Sequence, residues 1–201
     1  CHRLASRWAE VCCQIKGLDP KSQVAGEEWA IGPMILLRNL RLLERQEQLT
    51  RVARDLSSRE LEVPGFQVRA EALISQYPEL LSLTWIDERR RVKANSGPAA
   101  SWAPQYRKLG SLLKPGDTEN SYNLARDLQQ PIYAQRVAAP DVAPVLQLHI
   151  PLNEKNRFSG VLLAEYSVDG LFRYGVPAEV SARYAVSFLD SGGALLAGTS
   201  I

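Results

Sequence analysis

The sequence predicts an α+β fold: one antiparallel sheet of about five strands, a long N-terminal helix packed on it, and the beginning of a second, similar module. Three observations carry this. The apolar run Leu80–Ile86 leads into Asp87, a charged tip Glu88–Arg91, and then Val92, Lys93 and Ala94, the layout of a β-hairpin. Ala185–Thr199 repeats that layout at a constant offset of 103 residues: Trp85 meets Phe188, Ile86 meets Leu189, Asp87 meets Asp190, Val92 meets Leu195 and Ala94 meets Ala197. One supersecondary pattern used twice, about a domain apart, indicates tandem modules. Finally, Val145–Leu152 alternates, with Leu146, Leu148 and Ile150 on one face and Gln147 and His149 on the other, as a two-faced strand does.

The elements follow in order. Leu4, Trp8, Val11 and Ile15 stand at helical spacing, which puts Cys12 and Cys13 on a helix that breaks at Gly17–Pro20. Gly26–Gly32 is a joint, and Pro33 suits the first turn of a helix running to about Ser57. That helix carries two stripes, Leu36, Leu40 and Leu43, and Leu42, Leu49 and Leu56 with Val52 between them. Two roles fit the pair of stripes: a helix buried in its own fold, or one that packs on the sheet and also pairs with a partner helix. Val63-Pro64-Gly65 reads as a turn, and Phe66, Ala70, Leu73 and Tyr77 share one face of a second helix ended by Pro78. Residues 96–116 are rich in Gly, Pro, Ser and Ala yet carry Trp102, Tyr106 and Leu112–Leu113, so an ordered loop folded over something is expected rather than a linker. Asp117–Asn120 caps a short helix, Ser121–Leu128. Strands are expected near 82–86, 91–95, 131–135, 145–151 and 160–168, with a polar turn over Asn153–Ser159. Short helices follow at Gly170–Tyr174 and from Val176. The domain plan is 1–60 for the N-terminal helical region, 61–175 for the sheet module and 176–201 for the start of the second, truncated module.

Composition narrows the function. Of 201 residues 45% are hydrophobic and 23% charged, which is globular rather than disordered. The net charge of +2 gives no general drive toward nucleic acid. Apolar runs such as Met34–Leu37 are far too short to span a bilayer. Cys1, Cys12 and Cys13 form no Cys-x-x-Cys, and His2 and His149 lie far apart, so neither zinc nor a disulfide framework is indicated. No Gly-x-Ser-x-Gly, His-Glu-x-x-His or phosphate loop occurs, so no enzyme, catalytic residue or cofactor is expected. Asp87 and Asp190 end strands, where an Asx-type turn uses a carboxylate; Arg89-Arg90-Arg91 reads as a solvated tip. The chain opens on Cys1, and the expectation is a piece of a longer protein.

A binding site is expected between the aromatic loop, the helix after it and the polar face of the sheet. The pool is Trp102, Tyr106, Arg107, Tyr122, Arg126, Tyr133, Gln147 and His149. Trp102 and Tyr106 supply rigid apolar walls with a polar tip, or else plug the sheet face. Arg107 or Arg126 offers a two-pronged bond to a carboxylate, with Asp127 the nearest acidic neighbour for an inward Arg. His149 is either a satisfied half-buried core residue or points into a pocket with Gln147.

Three stretches, Gly32–Glu44, Thr84–Ala94 and Leu146–Leu152 with Phe158–Phe172, resemble the PAS-like extracytoplasmic sensor domains of bacterial receptors called Cache or PDC domains. Phe188–Gly198 resembles the start of a membrane-proximal module of the same kind. The resemblance covers about residues 31–198 and implies a periplasmic, non-catalytic sensor of an inner-membrane receptor, most often a histidine kinase. It implies membrane anchoring of the parent chain. The candidate arginines point to a small organic ligand of carboxylate type, and the two leucine stripes to a homodimer through the long helix. A structural or dimerisation module of a chemoreceptor or diguanylate cyclase, with no small ligand, is the alternative. Amino-acid-binding members carry a Tyr…Arg-x-Trp-Tyr run; here the loop reads Trp102-Ala103-Pro104-Gln105-Tyr106-Arg107, with aromatics and an Arg but not that run.

Overall fold

The β-prone segments of the chain become strands, and apolar helical stripes cover them. The computed structural model describes residues 11–17, 42–97, 108–113, 115–136, 143–178, 182, 184–190 and 195–198. Two compact units divide the chain: Gln46–Ser167, and Cys1–Arg45 with Val168–Ile201.

The first unit holds β2 (Leu80–Asp87), β3 (Val92–Ser96), β4 (Ile132–Arg136), β5 (Val145–Glu154) and β6 (Arg157–Ser167). They form one sheet in the order β3-β2-β6-β5-β4, and every pair is antiparallel. The α+β, PAS-like architecture is therefore present, with the strands at nearly the expected places. Strand register sorts the side chains into two faces. Trp85 lies opposite Leu162, Ile150 opposite Leu162, and Tyr133 opposite Leu148, so these share one face. On it pack α1 (Leu42–Ser57) and α2 (Val63–Gln76): the Phe66 ring lies 6.0 Å from that of Trp85, and the Tyr133 hydroxyl donates to Gln46 Oε1 at 2.8 Å. Ile86, Val161, Leu163 and Ile132 share the other face. There they cluster with Leu113 and with Tyr122 and Ala125 of α3 (Asp117–Leu128).

The stripe on α1 turns inward. Leu49 is 2% exposed, and Val52, Ala53 and Leu56 are also buried, so this stripe is core of its own unit. Leu49→Ala is expected to cost about 2–5 kcal/mol in urea unfolding. A loss below about 1 kcal/mol would mean that the stripe is not packed as described. The expected helix over 33–57 is seen from Leu42 onward; 18–41 lie outside the described residues.

Several expectations are corrected. Val11–Gly17 is a strand, β1, not part of a helix, and Cys12 and Cys13 lie on it opposite Leu189 and Phe188. Val63-Pro64-Gly65 is the first turn of α2 rather than a separate turn, because the first turn does not need the N–H that proline lacks. The polar turn over Asn153–Ser159 shrinks to Lys155-Asn156, both at positive φ (48° and 63°), so β5 and β6 run further than expected. Asp87 serves as the turn acceptor: its Oδ1 receives the N–H groups of Arg89 and Arg91 at 2.9 and 2.8 Å.

The second unit holds β1, α4 (Val168–Gly175), β7 (Tyr184–Asp190) and β8 (Leu195–Gly198). Its sheet order is β1-β7-β8. Phe172 of α4 meets Phe188 edge-on at 5.3 Å. The β7–β8 hairpin reproduces β2–β3 in register: Trp85 opposite Ala94 and Ile86 opposite Val92, Phe188 opposite Ala197 and Leu189 opposite Leu195, each with an irregularity between the two pairs. On β7, β1 takes the position that β6 takes on β2: Asp190 faces Val11 where Asp87 faces Gly160.

Candidate functional site

The face of the first sheet beneath α3 is apolar at one end and polar at the other. Antiparallel register lines up Ser82, Glu165 and Gln147 in one row, and Thr84, Leu163, His149 and Ile132 in the next. All five polar side chains are buried, Glu165, Thr84 and His149 completely. In the first row Glu165 Oε2 accepts from the Ser82 hydroxyl and Oε1 from the Gln147 amide, both at 2.9 Å. Thr118, in the first turn of α3, lies 3.3 Å from the Gln147 amide and ties the cover helix to this floor. A carboxylate so far from water is expensive unless hydrogen bonds surround it, and these supply several.

The second row differs. Among the described residues, Thr84 Oγ1 and both ring nitrogens of His149 have no hydrogen-bond partner. Burial pushes the His149 imidazole down to about 4; backbone groups of Ile132 and Thr118 beside the ring oppose that shift but do not reach hydrogen-bond geometry. His149 is therefore neutral near pH 7, one nitrogen a donor and the other an acceptor.

The eight residues expected at a site divide as follows. Gln147 and His149 lie in the floor. Tyr122 belongs to α3 and packs on the apolar end of this face, its ring edge-on to Phe158 at 5.6 Å and its hydroxyl donating to the Asp87 carbonyl at 2.7 Å. Burial, then the Asp87 charge, pushes its phenol up. Tyr133 is not brought to this face, since Ile132 faces His149 and its neighbour must point the other way. Arg126 is exposed and pairs with Asp127 at 2.8 Å, so the inward arrangement of that Arg does not occur. Trp102, Tyr106 and Arg107 lie outside the described residues. Sequence reasoning missed Glu165, Ser82, Thr84 and Thr118. The one available signal was Glu165, a lone carboxylate inside the apolar strand Gly160–Val168.

On the opposite, helical side of the sheet a half-open groove of about 1160 Å³ is lined by Arg59, Glu62, Trp85, Lys93, Glu154 and Arg157, among others. Arg59 and Glu154 pair there at 2.8 Å, and the Lys93 ammonium sits 4.2 Å from the Trp85 ring centre. Among the described residues no group of His, Cys, Asp and Glu is arranged to hold a metal, and no helix is long and apolar enough to cross a membrane.

No protein-family model and no curated protein matches the sequence. Solved structures do. The ligand-binding domain of the Pseudomonas aeruginosa amino-acid chemoreceptor PctC, in complex with GABA, is 14% identical with a TM-score of 0.54, over 83% of this chain and 71% of that one. The ligand-binding domain of the Campylobacter jejuni chemoreceptor Tlp3, in complex with L-norvaline, is 13% identical with a TM-score of 0.53, over 82% of this chain and 66% of that one. An extracellular ligand binding receptor from Desulfohalobium retbaense is 14% identical with a TM-score of 0.47, and the chain spans 26% of its length. At such identity the likeness is one of fold, shared with the ligand-binding domains of the chemoreceptors PctC and Tlp3.

Proposed function

We propose that this chain is the extracytoplasmic ligand-sensing part of a bacterial membrane receptor, non-catalytic in itself. The observation that carries the reading is the buried polar floor of Ser82, Glu165 and Gln147, roofed by α3 on the sheet face. A domain that only had to be stable would fill that position with apolar side chains, which need no partners. The fold shared with chemoreceptor domains that carry GABA or L-norvaline supports the same direction. The ligand we expect is a small organic molecule whose donors meet the floor; Trp102, Tyr106 and Arg107, expected from the sequence as further contacts, lie outside the described residues. Signalling needs only that the ligand bind one arrangement of cover and helix better than another. In the parent chain we assign a sensor histidine kinase, with a chemoreceptor equally compatible with the fold. The repeated hairpin supports two modules of one kind, one within Gln46–Ser167 and one that includes Val168–Ile201, rather than the boundaries at 61 and 176 expected from the sequence.

A structural or dimerising module is the second reading, favoured by the tight packing of Tyr122, Ala125 and Leu113. The two separate in a thermal-shift panel of the protein amino acids and GABA. A ligand at 100 times its dissociation constant stabilises by about 2.7 kcal/mol, a shift of several degrees. Glu165→Gln is expected to abolish the shift. If no member of the panel moves the melt, the sensing reading fails and the structural module stands.

A further inference from the structure

We propose that Thr84, Leu163 and His149 form a specificity subsite for an uncharged group on the bound molecule that both donates and accepts a hydrogen bond: a hydroxyl or a carboxamide. This rests on the ligand-sensing reading above. Thr84 and His149 flank Leu163 on the central strand, two strand spacings or roughly 10 Å apart at the backbone, too far for their short polar ends to satisfy each other. Both are buried, and neither Thr84 Oγ1 nor either ring nitrogen of His149 has a hydrogen-bond partner among the described residues. Buried polar groups of folded proteins are nearly always partnered, so two left open in one row among the described residues mark a place for a polar group of a bound molecule.

The row also specifies that partner. The adjacent Glu165 and Gln147 already bond each other, so the unmet hydrogen-bonding capacity lies at Thr84 and His149. Neither side chain carries a charge near pH 7, and the row holds no Asp, Glu, Lys or Arg. An anion placed there would lose water without gaining a counter-charge, and a cation would find one only in the adjacent row, where Glu165 is already held by Ser82 and Gln147. An apolar group would leave the donors and acceptors bare. A hydroxyl or carboxamide matches a neutral imidazole and a hydroxyl in both senses.

Isosteric pairs test this on the whole chain by calorimetry at pH 7: L-threonine against L-valine, and L-asparagine against L-leucine. The polar member of at least one pair is expected to bind about tenfold or more tightly than its apolar partner, as sites built around buried hydrogen bonds do. In Thr84→Val, which keeps the side-chain shape, and in His149→Leu, that ratio is expected to fall toward one. Thr84→Val keeps the test open should His149→Leu fold poorly. If the wild-type chain binds both members of each pair equally, solvent alone satisfies the row and the subsite is wrong, while the sensing reading survives. If all four probes fail to bind, the subsite falls together with the amino-acid form of the sensing reading.

Discussion

Gly160→Ala is expected to destabilise the first unit by more than about 3 kcal/mol, a large part of the 5–15 kcal/mol that holds a domain together. Gly160 stands on β6 with φ at +139°, opposite Asp87 on β2 and Leu152 on β5. A Cβ there would lie 2.1 Å from the Ile86 carbonyl oxygen and 3.0 Å from the Asp87 Cα. Both neighbours are backbone, so relief requires parting β2 from β6 at the centre of the sheet. Gly110→Ala is the control: φ is +75° but nothing lies within 4 Å of the added carbon, so only conformational strain of about 1–2 kcal/mol applies. Urea unfolding of both variants, followed by circular dichroism, reads the difference. Equal losses would mean that the close approach of β6 to β2 is not real.

Acidification should weaken the fold through His149. Its folded-state value, about 4, lies below the ordinary 6.5. Between those values the unfolded chain binds a proton that the native chain refuses, so stability falls as pH drops from about 6.5 toward 4 and is unaffected by this group above 6.5. The full difference is on the order of 3 kcal/mol. Carboxylates titrate in the lower part of that window, so the share of His149 is read as wild type minus His149→Leu across denaturation curves from pH 7 to pH 4. The variant is expected to show the shallower acid slope. Identical slopes would place the imidazole in contact with water and undo the account of the floor.

The sheet was legible because its signals are local. Alternation in Val145–Leu152 separates Leu148 from His149 without reference to any other part of the chain. Asp87 before a charged tip is likewise read in place. What was not legible depends on distant partners. Val11, Cys13 and Ile15 alternate as a strand while Leu4, Trp8, Val11 and Ile15 keep helical spacing; pairing of Val11 with Asp190 decides between them. Glu165 meets Ser82 and Gln147, 83 and 18 residues away, so no short motif announces the three together. Tyr133 and His149 look like companions until the register of β4 on β5 sets them on opposite faces.

The matching hairpins have a consequence for assembly. β1 is made before β2–β6, yet its partner β7 only after them. In the interval β2 and β3 emerge, offering the same register and the same irregularity as the edge β1 is waiting for. β1 and β6 thus compete for look-alike edges, and a chain in which the early strand seizes the nearer one is trapped until it lets go, the characteristic hazard of repeated modules. Advantage lies with β6, whose 11 residues outmatch the 7 of β1 and which is joined to β5 by a tight turn, so its edge is presented preformed. Strand length and the tight β5–β6 turn, working against order of synthesis, are what separate the two sheets.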